Sequence, residues 1–284
     1  MRVVDAHVHF WDPALRRYPW LDDEPALQRA FLPADFAPLR TGSVHAVVFV
    51  QADCDPASSD DEVAWVETLS NADPRVLGIV AHVDMLAEQT RSAALDRLAQ
   101  RERVVGVRHN IQGHPAGYAT DAAFVRGVQQ VGARGLTFDL CITGGQLSEV
   151  VELVDRCPDT RFVLDHCGKP AIRDDAFATW AKQIERLAGH ERVSCKLSGL
   201  LTEARSDQRS VGGLRLYAEH VVRCFGPERV LYGSDWPVAT LSGGAEVWRV
   251  ITDELSAAWS EADRRAFYAD NALRFYGLEL PSRV

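Results

Sequence analysis

Short apolar runs rich in β-branched residues recur along the whole chain, and amphipathic segments separate most of them. Runs of this length predict buried β-strands, and the segments rich in Ala, Leu, Arg and Glu predict helices. The eight predicted strands are Val3–Phe10, Val44–Gln51, Val76–Val83, Val104–Asn110, Leu136–Cys141, Arg161–His166, Val193–Leu197 and Val230–Asp235. The predicted helices include Asp61–Ala72, Glu88–Gln100, Asp121–Val131, Gln146–Cys157, Phe177–Ala188, Leu214–Phe225 and Glu261–Tyr276.

The alternation of strands with helices predicts βα units and therefore a parallel sheet. Eight strands spaced by roughly thirty residues match the α/β architecture of a (β/α)8 TIM-type barrel. An open doubly wound sheet is the alternative, but no glycine-rich phosphate loop follows the first predicted strand. No segment has the composition of a linker, so residues 1–284 are predicted to form a single barrel domain.

Composition narrows the class of protein further. The chain has 284 residues, of which 46% are hydrophobic and 25% charged, as in ordinary globular domains. Its formal net charge of −9 argues against nucleic acid or an anionic membrane as a partner. No apolar stretch resembles a signal peptide or a membrane span, and the six cysteines form no C-x-x-C pair. We therefore expect a cytoplasmic protein with reduced thiols.

Two histidines on the first predicted strand are the first candidates for chemistry. Strand alternation places His7 and His9 on one face, together with Asp5. If that face is the barrel interior, the two imidazoles suit a metal ion or a polarised carbonyl. A buried hydrogen-bond network of two structural histidines is the alternative interpretation.

Two further candidates end later strands. His166 and Asp235 close the sixth and eighth predicted strands, which is where barrel enzymes place catalytic groups. Taken alone, His166 is equally a capping residue, and Asp235 is equally an Asx turn near a proline. Their coincidence with His7 and His9 favours a functional centre.

Other side chains near the predicted strand ends suit a hydroxyl-rich ligand. Lysine is rare, with three against 28 arginines, so Lys169 and Lys196 near strand ends suggest a need for compact charges. Either Arg108 or His109 points inward, and the pattern does not decide which. Trp20 either stacks on a substrate or plugs the barrel mouth. The predicted substrate-binding residues are Trp11, Gln51, His82, Arg108, His114, Asp139, Lys196 and Trp236.

Several motifs together resemble a known family. The segments HVHFWD, LDHCGKP, CKLSG, LYGSDWP and DNALRFYGL are similar to those of the amidohydrolase superfamily, in the amidohydrolase-2-type branch that holds L-fuconolactone and L-rhamnonolactone hydrolases. The resemblance extends from Met1 to about Leu278. It implies a barrel with its site at the C-terminal rim, and His7, His9, His166 and Asp235 as the polar centre and metal ligands.

The chain departs from the binuclear members of that superfamily. Those members use a carboxylated lysine on strand four and a histidine on strand five, whereas the matching segments here read VVGVRHN and LTFDLC. We therefore expect at most one divalent ion, zinc by preference, bound among the four candidate ligands. Because some similar proteins work without a metal, a metal-free centre stays open.

The expected function is a hydrolase that opens a lactone, with a sugar-acid lactone as its small-molecule substrate. Asp235 would activate water as the general base, and His166 would be catalytic beside it. Alternatives are a metal-dependent decarboxylase of an aromatic or unsaturated acid and a hydrolase of a pyrone dicarboxylate. A non-catalytic binding protein is disfavoured, because packing does not require titratable groups at three strand ends. A homo-oligomer is compatible with the sequence.

Overall fold

A computed structural model of the chain describes residues 1–281. Eight parallel strands pair in the order in which they occur along the chain, and each is followed by helical structure. This is the predicted (β/α)8 TIM-type barrel. The strands are β1 Val4–Val8, β2 Ala46–Val50, β3 Val76–His82, β4 Val104–Arg108, β5 Thr137–Leu140, β6 Arg161–Leu164, β7 Val193–Leu197 and β8 Val230–Tyr232.

Helices surround the strands and bury their apolar faces against them. In the helix Leu147–Arg156, for example, Leu147, Val150, Val151 and Val154 are buried, as the helical period requires. The α-helices are α1 Ala37–Thr41, α2 Ser59–Ala72, α3 Glu88–Ala99, α4 Ala122–Gly132, α5 Leu147–Arg156, α6 Phe177–Ala188, α7 Leu200–Glu203, α8 Val211–Phe225, α9 Gly244–Leu255, α10 Glu261–Arg265 and α11 Asn271–Tyr276. The predicted closing helix Glu261–Tyr276 is thus formed by α10 and α11, joined by a π-helical turn.

The seam of the barrel joins the first strand to the segment that follows the last. The amide of His9 donates to the carbonyl of Trp236 at 2.8 Å, and the amide of Asp235 donates to the carbonyl of His7 at 2.9 Å. These reciprocal backbone bonds hold His7 and His9 beside Asp235. The closure of the barrel therefore assembles the candidate site.

Two features of the described chain bear on the sequence-based expectations. Between residues 1 and 281, no helix is both long enough and apolar enough to cross a membrane. All six cysteines lie in this part of the chain, and none of them forms a disulfide there.

Candidate active site

One carboxylate and three imidazoles meet at the C-terminal end of the barrel. Oδ1 of Asp235 lies 3.4 Å from Nε2 of His9, 3.7 Å from Nε2 of His7 and 3.8 Å from Nε2 of His166. All four side chains are buried. We call these four residues the polar centre, and the structure brings together the set predicted from the sequence.

The backbone at two of these positions is unusual. His166 has φ of 52° and Asp235 has φ of 61°, in the left-handed region that L-residues seldom occupy. Glycine at position 199 makes room for this geometry, since a Cβ there would lie 2.6 Å from Nδ1 of His166. Strained backbone of this kind is concentrated at functional sites.

A hydrogen bond fixes how His9 presents its ring nitrogens, and two donors compete for those of His7. Nδ1 of His9 lies 2.7 Å from the carbonyl oxygen of Val50, which can only accept, so Nε2 of neutral His9 keeps its lone pair. Nε2 of His7 lies 3.4 Å from Nη1 of Arg108, and its Nδ1 lies 3.2 Å from Nζ of Lys196, so neutral His7 can accept from only one of these two donors. The two Nε2 atoms are 3.2 Å apart. When His7 accepts from Lys196 at Nδ1, its Nε2 carries the hydrogen and faces the lone pair of His9.

The donor set fits a metal ion. His7, His166 and Asp235 are buried, and one ligand atom from each lies within 4.8 Å of the others. Nδ1 of His166 is held by the hydroxyl of Ser198 at 3.0 Å, which orients the ring as outer contacts do in metal sites. Imidazole nitrogen and carboxylate oxygen are ligands that zinc accepts.

A network of buried charges supports the polar centre from below. Oδ1 of Asp165 lies 3.3 Å from Nδ1 of His7 and 3.0 Å from Nζ of Lys196. Lys196 also donates to Oδ2 of Asp139, and Arg108 donates to Oδ2 of Asp165 at 3.2 Å. Because these residues come from five different strands or strand ends and touch one another, they fill the barrel interior. Burial would raise the pKa of Asp165, but Lys196, His7 and Arg108 hold it well below its usual range.

The charge states of the polar centre follow from burial and from mutual contact. Burial lowers the pKa of His7 well below its ordinary value and that of His166 to about 4, so both rings are neutral at neutral pH. Burial alone would raise the pKa of Asp235, but contact with His166, His9 and His7 holds it below its usual range. An ionised carboxylate therefore faces the neutral rings of His7 and His166.

A pocket of about 270 Å³ opens above the polar centre, and three of its four residues reach the lining. Arg108 also reaches the lining, which resolves the open choice between Arg108 and His109. Trp20 lines the pocket as well, and its Nε1 donates to the carbonyl of Ala52 at 2.8 Å. The lining consists of His9, Trp20, Glu24, Ala52, Asp53, Arg108, Asn110, Gln112, Cys141, His166, Lys169, Asp235, Val238 and Leu241.

Most of the other predicted substrate contacts lie elsewhere. Trp11, Asp139 and Lys196 have no exposed surface, because aromatic packing covers the first and the interior charge network uses the other two. Gln51 is also buried, and its Oε1 accepts from the amide of Asp53. These four support the pocket from behind rather than line it.

Of the three remaining predicted substrate contacts, one takes part in aromatic packing and two line a neighbouring cleft. Trp236 is 6% exposed and packs against Phe10, Phe31 and Phe36. His82 and His114 line a second cleft that adjoins the pocket. A direct substrate contact by any of them stays a prediction.

Sequence reasoning missed several residues of the site. Asp165 is one of them, although it follows β6 directly, as His166 does, and a titratable residue at the end of a strand is the signal that identified His166. Asn110 and Asp53 line the pocket from loops that follow β4 and β2, and their short polar side chains carry no motif. Lys169, one of the three lysines in the chain, also lines the pocket, and its Nζ donates to Oε1 of Gln112.

Known proteins with similar sequences identify the family to which this barrel belongs. The amidohydrolase family model matches residues 4–278, which is nearly the whole chain. The chain belongs to the amidohydrolase family. An L-fucono-1,5-lactonase of Burkholderia multivorans is 33% identical to this amidohydrolase over 98% of the chain and 97% of the relative. A second L-fucono-1,5-lactonase, from Burkholderia ambifaria, is 30% identical over 98% and 97%.

Solved structures agree with this placement. A crystal structure of an amidohydrolase from Burkholderia multivorans with bound zinc superposes with a TM-score of 0.87 at 30% identity. It covers 98% of this chain and all of the solved chain. This amidohydrolase is therefore a hydrolase of that family that acts on a small molecule, with a buried His7, His166 and Asp235 triad that could hold a metal ion.

Proposed function

We propose that this amidohydrolase opens the ring of a sugar-acid lactone by hydrolysis. The observation that carries the proposal is the position of Asp235, an ionised carboxylate in the pocket lining, 3.4 to 3.8 Å from three imidazoles. The two L-fucono-1,5-lactonases, at 33% and 30% identity over nearly the full length, support the same substrate class.

In the proposed reaction, Asp235 accepts a proton from water while the water oxygen attacks the lactone carbonyl carbon. The bond between that carbon and the ring oxygen then breaks, and the ring oxygen takes the proton back from Asp235. The product is an open hydroxy acid, which ionises at neutral pH and releases one proton. Asp235 is ionised at neutral pH, so a lone pair is available to accept the proton.

A neutral imidazole that carries its hydrogen on Nε2, as His7 does when its Nδ1 accepts from Lys196, can donate to the carbonyl oxygen and stabilise the charge that develops there. Zinc held by His7, His166 and Asp235, with His9 beside them, would add Lewis acidity and lower the pKa of bound water. Without an ion, the same histidines polarise the carbonyl directly.

The pocket lining suits a neutral ring with several hydroxyl groups. Asn110 and Gln112 offer amide groups, and the indole of Trp20 offers an apolar face for the C–H side of a sugar. Arg108 and Lys169 lie in the same lining and can receive the carboxylate that forms when the ring opens. Each hydroxyl that is buried on binding needs such a partner.

The test is a panel of L-fucono-, L-rhamnono- and D-galactonolactones in weak buffer with a pH indicator, with correction for spontaneous opening. We expect acid release with at least one of these sugar lactones. Its kcat/KM should exceed that for 2-pyrone-4,6-dicarboxylate by about tenfold, the effect of one or two unsatisfied buried polar groups. Preference for the dicarboxylate would overturn the sugar assignment. Release of CO₂ from an aromatic acid, with no lactone opened, would overturn the hydrolysis itself.

A further inference from the structure

A second cleft of about 360 Å³ adjoins the pocket and shares a wall with it. Asp53, Asn110 and Gln112 line both spaces, so a ligand in the pocket can extend across them. Beyond this wall the second cleft is lined by His82, Asp84, Leu86, His109, His114 and Tyr118. None of these belongs to the polar centre, and the proposed reaction does not use them.

A chain of hydrogen bonds prepares a donor in the second cleft. The amide of Met85 donates to Nδ1 of His109 at 3.0 Å, so the hydrogen of neutral His109 resides on Nε2. Nε2 lies 2.8 Å from the hydroxyl of Tyr118 and therefore donates to it. The hydrogen of the Tyr118 hydroxyl is then directed to a further acceptor, because its oxygen already receives one from His109.

Buried polar atoms without hydrogen-bond partners lie in the same lining. Within residues 1–281, Oδ1 of Asn110 and Nδ1 of His82 are buried and have no hydrogen-bond partner. A buried polar atom left unpaired costs free energy, and a ligand hydroxyl would remove that cost. Asn110 stands on the shared wall, so it can serve a group that passes from one space to the other.

The second cleft also has a flat aromatic wall, and no lysine or arginine among residues 1–281 lines it. The rings of His114 and Tyr118 stack with centroids 3.8 Å apart and planes 2° from parallel. Burial lowers the pKa of His109 to about 4 and also lowers that of His82, so both rings are neutral. Neutral donors and acceptors beside an aromatic face suit a sugar ring, whereas the carboxylates of Asp53 and Asp84 disfavour an anion.

We propose that the second cleft is a subsite for another neutral sugar ring, so that the enzyme accepts lactones whose sugar acid carries a glycosyl substituent. The inference rests on the proposed lactonase function and extends it from a single ring to a glycosylated one. Tyr118 and Asn110 bind hydroxyl groups of the second ring, and the wall of His114 and Tyr118 contacts its C–H face.

The first experiment compares D-glucono-1,5-lactone with two glycosylated forms of the same ring. Cellobiono-1,5-lactone carries its second sugar at O4, and melibiono-1,5-lactone carries it at O6. We expect kcat/KM for at least one of them to exceed that for gluconolactone by about threefold to tenfold, as one or two added hydrogen bonds would give. If both are opened at less than a tenth of the gluconolactone value, the subsite does not exist.

Two variants test whether the proposed subsite lies in the second cleft. Tyr118→Phe removes the prepared donor, and Leu86→Trp fills the cleft from an exposed position. Each should remove the advantage of the glycosylated lactone and leave kcat/KM for gluconolactone within about twofold. Leu15→Trp is the matched control, because Leu15 is also exposed but lies outside both spaces. An unchanged preference in both cleft variants would overturn the inference.

A binding measurement separates this inference from the proposed function. If no lactone is opened, the lactonase proposal fails, and the cleft is then tested by saturation-transfer NMR with cellobiose. Transfer to the sugar protons that is lost in Leu86→Trp and kept in Leu15→Trp supports a sugar subsite. No transfer, or equal transfer in all three proteins, would overturn it.

Discussion

His166, Lys169 and Asp235 have φ of 52°, 46° and 61°, and all three line the pocket. Such conformations cost on the order of 1–3 kcal/mol each and persist only where the surroundings enforce them. The seam bond from Asp235 to the carbonyl of His7 supplies part of that enforcement. At the scale of single residues, the protein therefore loses some folding free energy in order to direct these three side chains into the pocket.

Replacement of Asp235 by Asn should lower kcat by about 10²- to 10⁴-fold, the range typical of a lost general base. The amide keeps the volume of the carboxylate but cannot take up the proton. Activity on the best lactone and the thermal midpoint should be measured together. Asp207→Asn, at an exposed position, is the matched control and should retain full activity. A rate above a tenth of the wild-type value would show that Asp235 is not the base.

Replacement of Gly199 by Ala should lower activity by at least about tenfold. A Cβ there would lie 2.6 Å from Nδ1 of His166, and φ of 66° is unfavourable for alanine. The clash should displace the ring from Asp235, so kcat should fall more than KM rises. Gly42→Ala is the control, because it has a similar φ of 77° but nothing within 4 Å of its Cβ. Equal losses in the two variants would point to backbone strain alone.

At the scale of elements, the sequence pattern located all eight strands but extended some of them too far. The sixth was predicted to end at His166 and the eighth at Asp235, whereas they end at Leu164 and Tyr232. The difference arises where the chain turns into the left-handed region, which apolar periodicity does not record. The residues that leave the strand early are those that enter the pocket.

The loop after β2 depends on a buried side chain from α2. Glu62 accepts from the amide of Ala52 at 3.3 Å, and burial raises its pKa to about 7. Ala52 lines the pocket and also accepts the indole hydrogen of Trp20. The protonation state of Glu62 therefore affects how firmly α2 holds Ala52 in the pocket wall.

The raised pKa predicts a pH-dependent stability. Folded Glu62 holds its proton up to about pH 7, while the unfolded chain releases it near the ordinary value of 4.5. The unfolded state thus binds fewer protons between these values, so the free energy of unfolding should fall as pH rises. The stabilisation is complete below about pH 4.5 and lost by about pH 7, a change on the order of 3 kcal/mol.

Urea denaturation of wild type and Glu62→Gln between pH 4.5 and 7.5 measures this contribution. The glutamine of the variant cannot ionise, so the unfolding free energy of the variant should fall less than that of the wild type as pH rises. The exposed Glu219→Gln is the control and should follow the wild type. Parallel curves for wild type and Glu62→Gln would mean that Glu62 ionises normally in the folded protein.

The polar centre could be predicted because its members occupy strands or strand ends, where position along the chain fixes position in space. His7 and His9 share a face by simple alternation, and the barrel model brings His166 and Asp235 to the same rim. The substrate contacts were harder to predict. Whether a residue such as Lys196 lines a pocket or is buried beneath it depends on the depth of each side chain in the barrel, which sequence spacing does not define.

At the scale of the whole molecule, Lys196 holds two buried carboxylates of the barrel interior together. Its replacement by Met would leave Asp139 and Asp165 without their shared cation, at a cost of about 3–5 kcal/mol in stability. Denaturant unfolding at pH 7 measures the loss. Lys182→Met, at an exposed site on α6, is the control. A loss below about 1 kcal/mol would show that the network does not depend on Lys196.

The number of bound metal ions is also a property of the assembled molecule. In protein purified without chelator, the polar centre should hold no more than about one equivalent of zinc per chain, because the donors there suffice for a single ion. Elemental analysis of the intact protein gives the number. Two tightly bound equivalents at this centre would contradict the prediction. Activity that survives complete chelation would assign the polarisation of the carbonyl to the histidines.

The seam between β1 and the segment after β8 also bears on how the protein is made. Asp5 accepts from the amide of Ser234, 229 residues further along the chain. At a synthesis rate of about 5–20 residues per second, roughly 10–45 seconds separate the two ends of that bond on the ribosome. During this interval β1 has an unpaired edge, and His7 and His9 lack their contact with Asp235. A truncated chain therefore lacks the polar centre, and catalytic activity reports that translation and barrel closure are both complete.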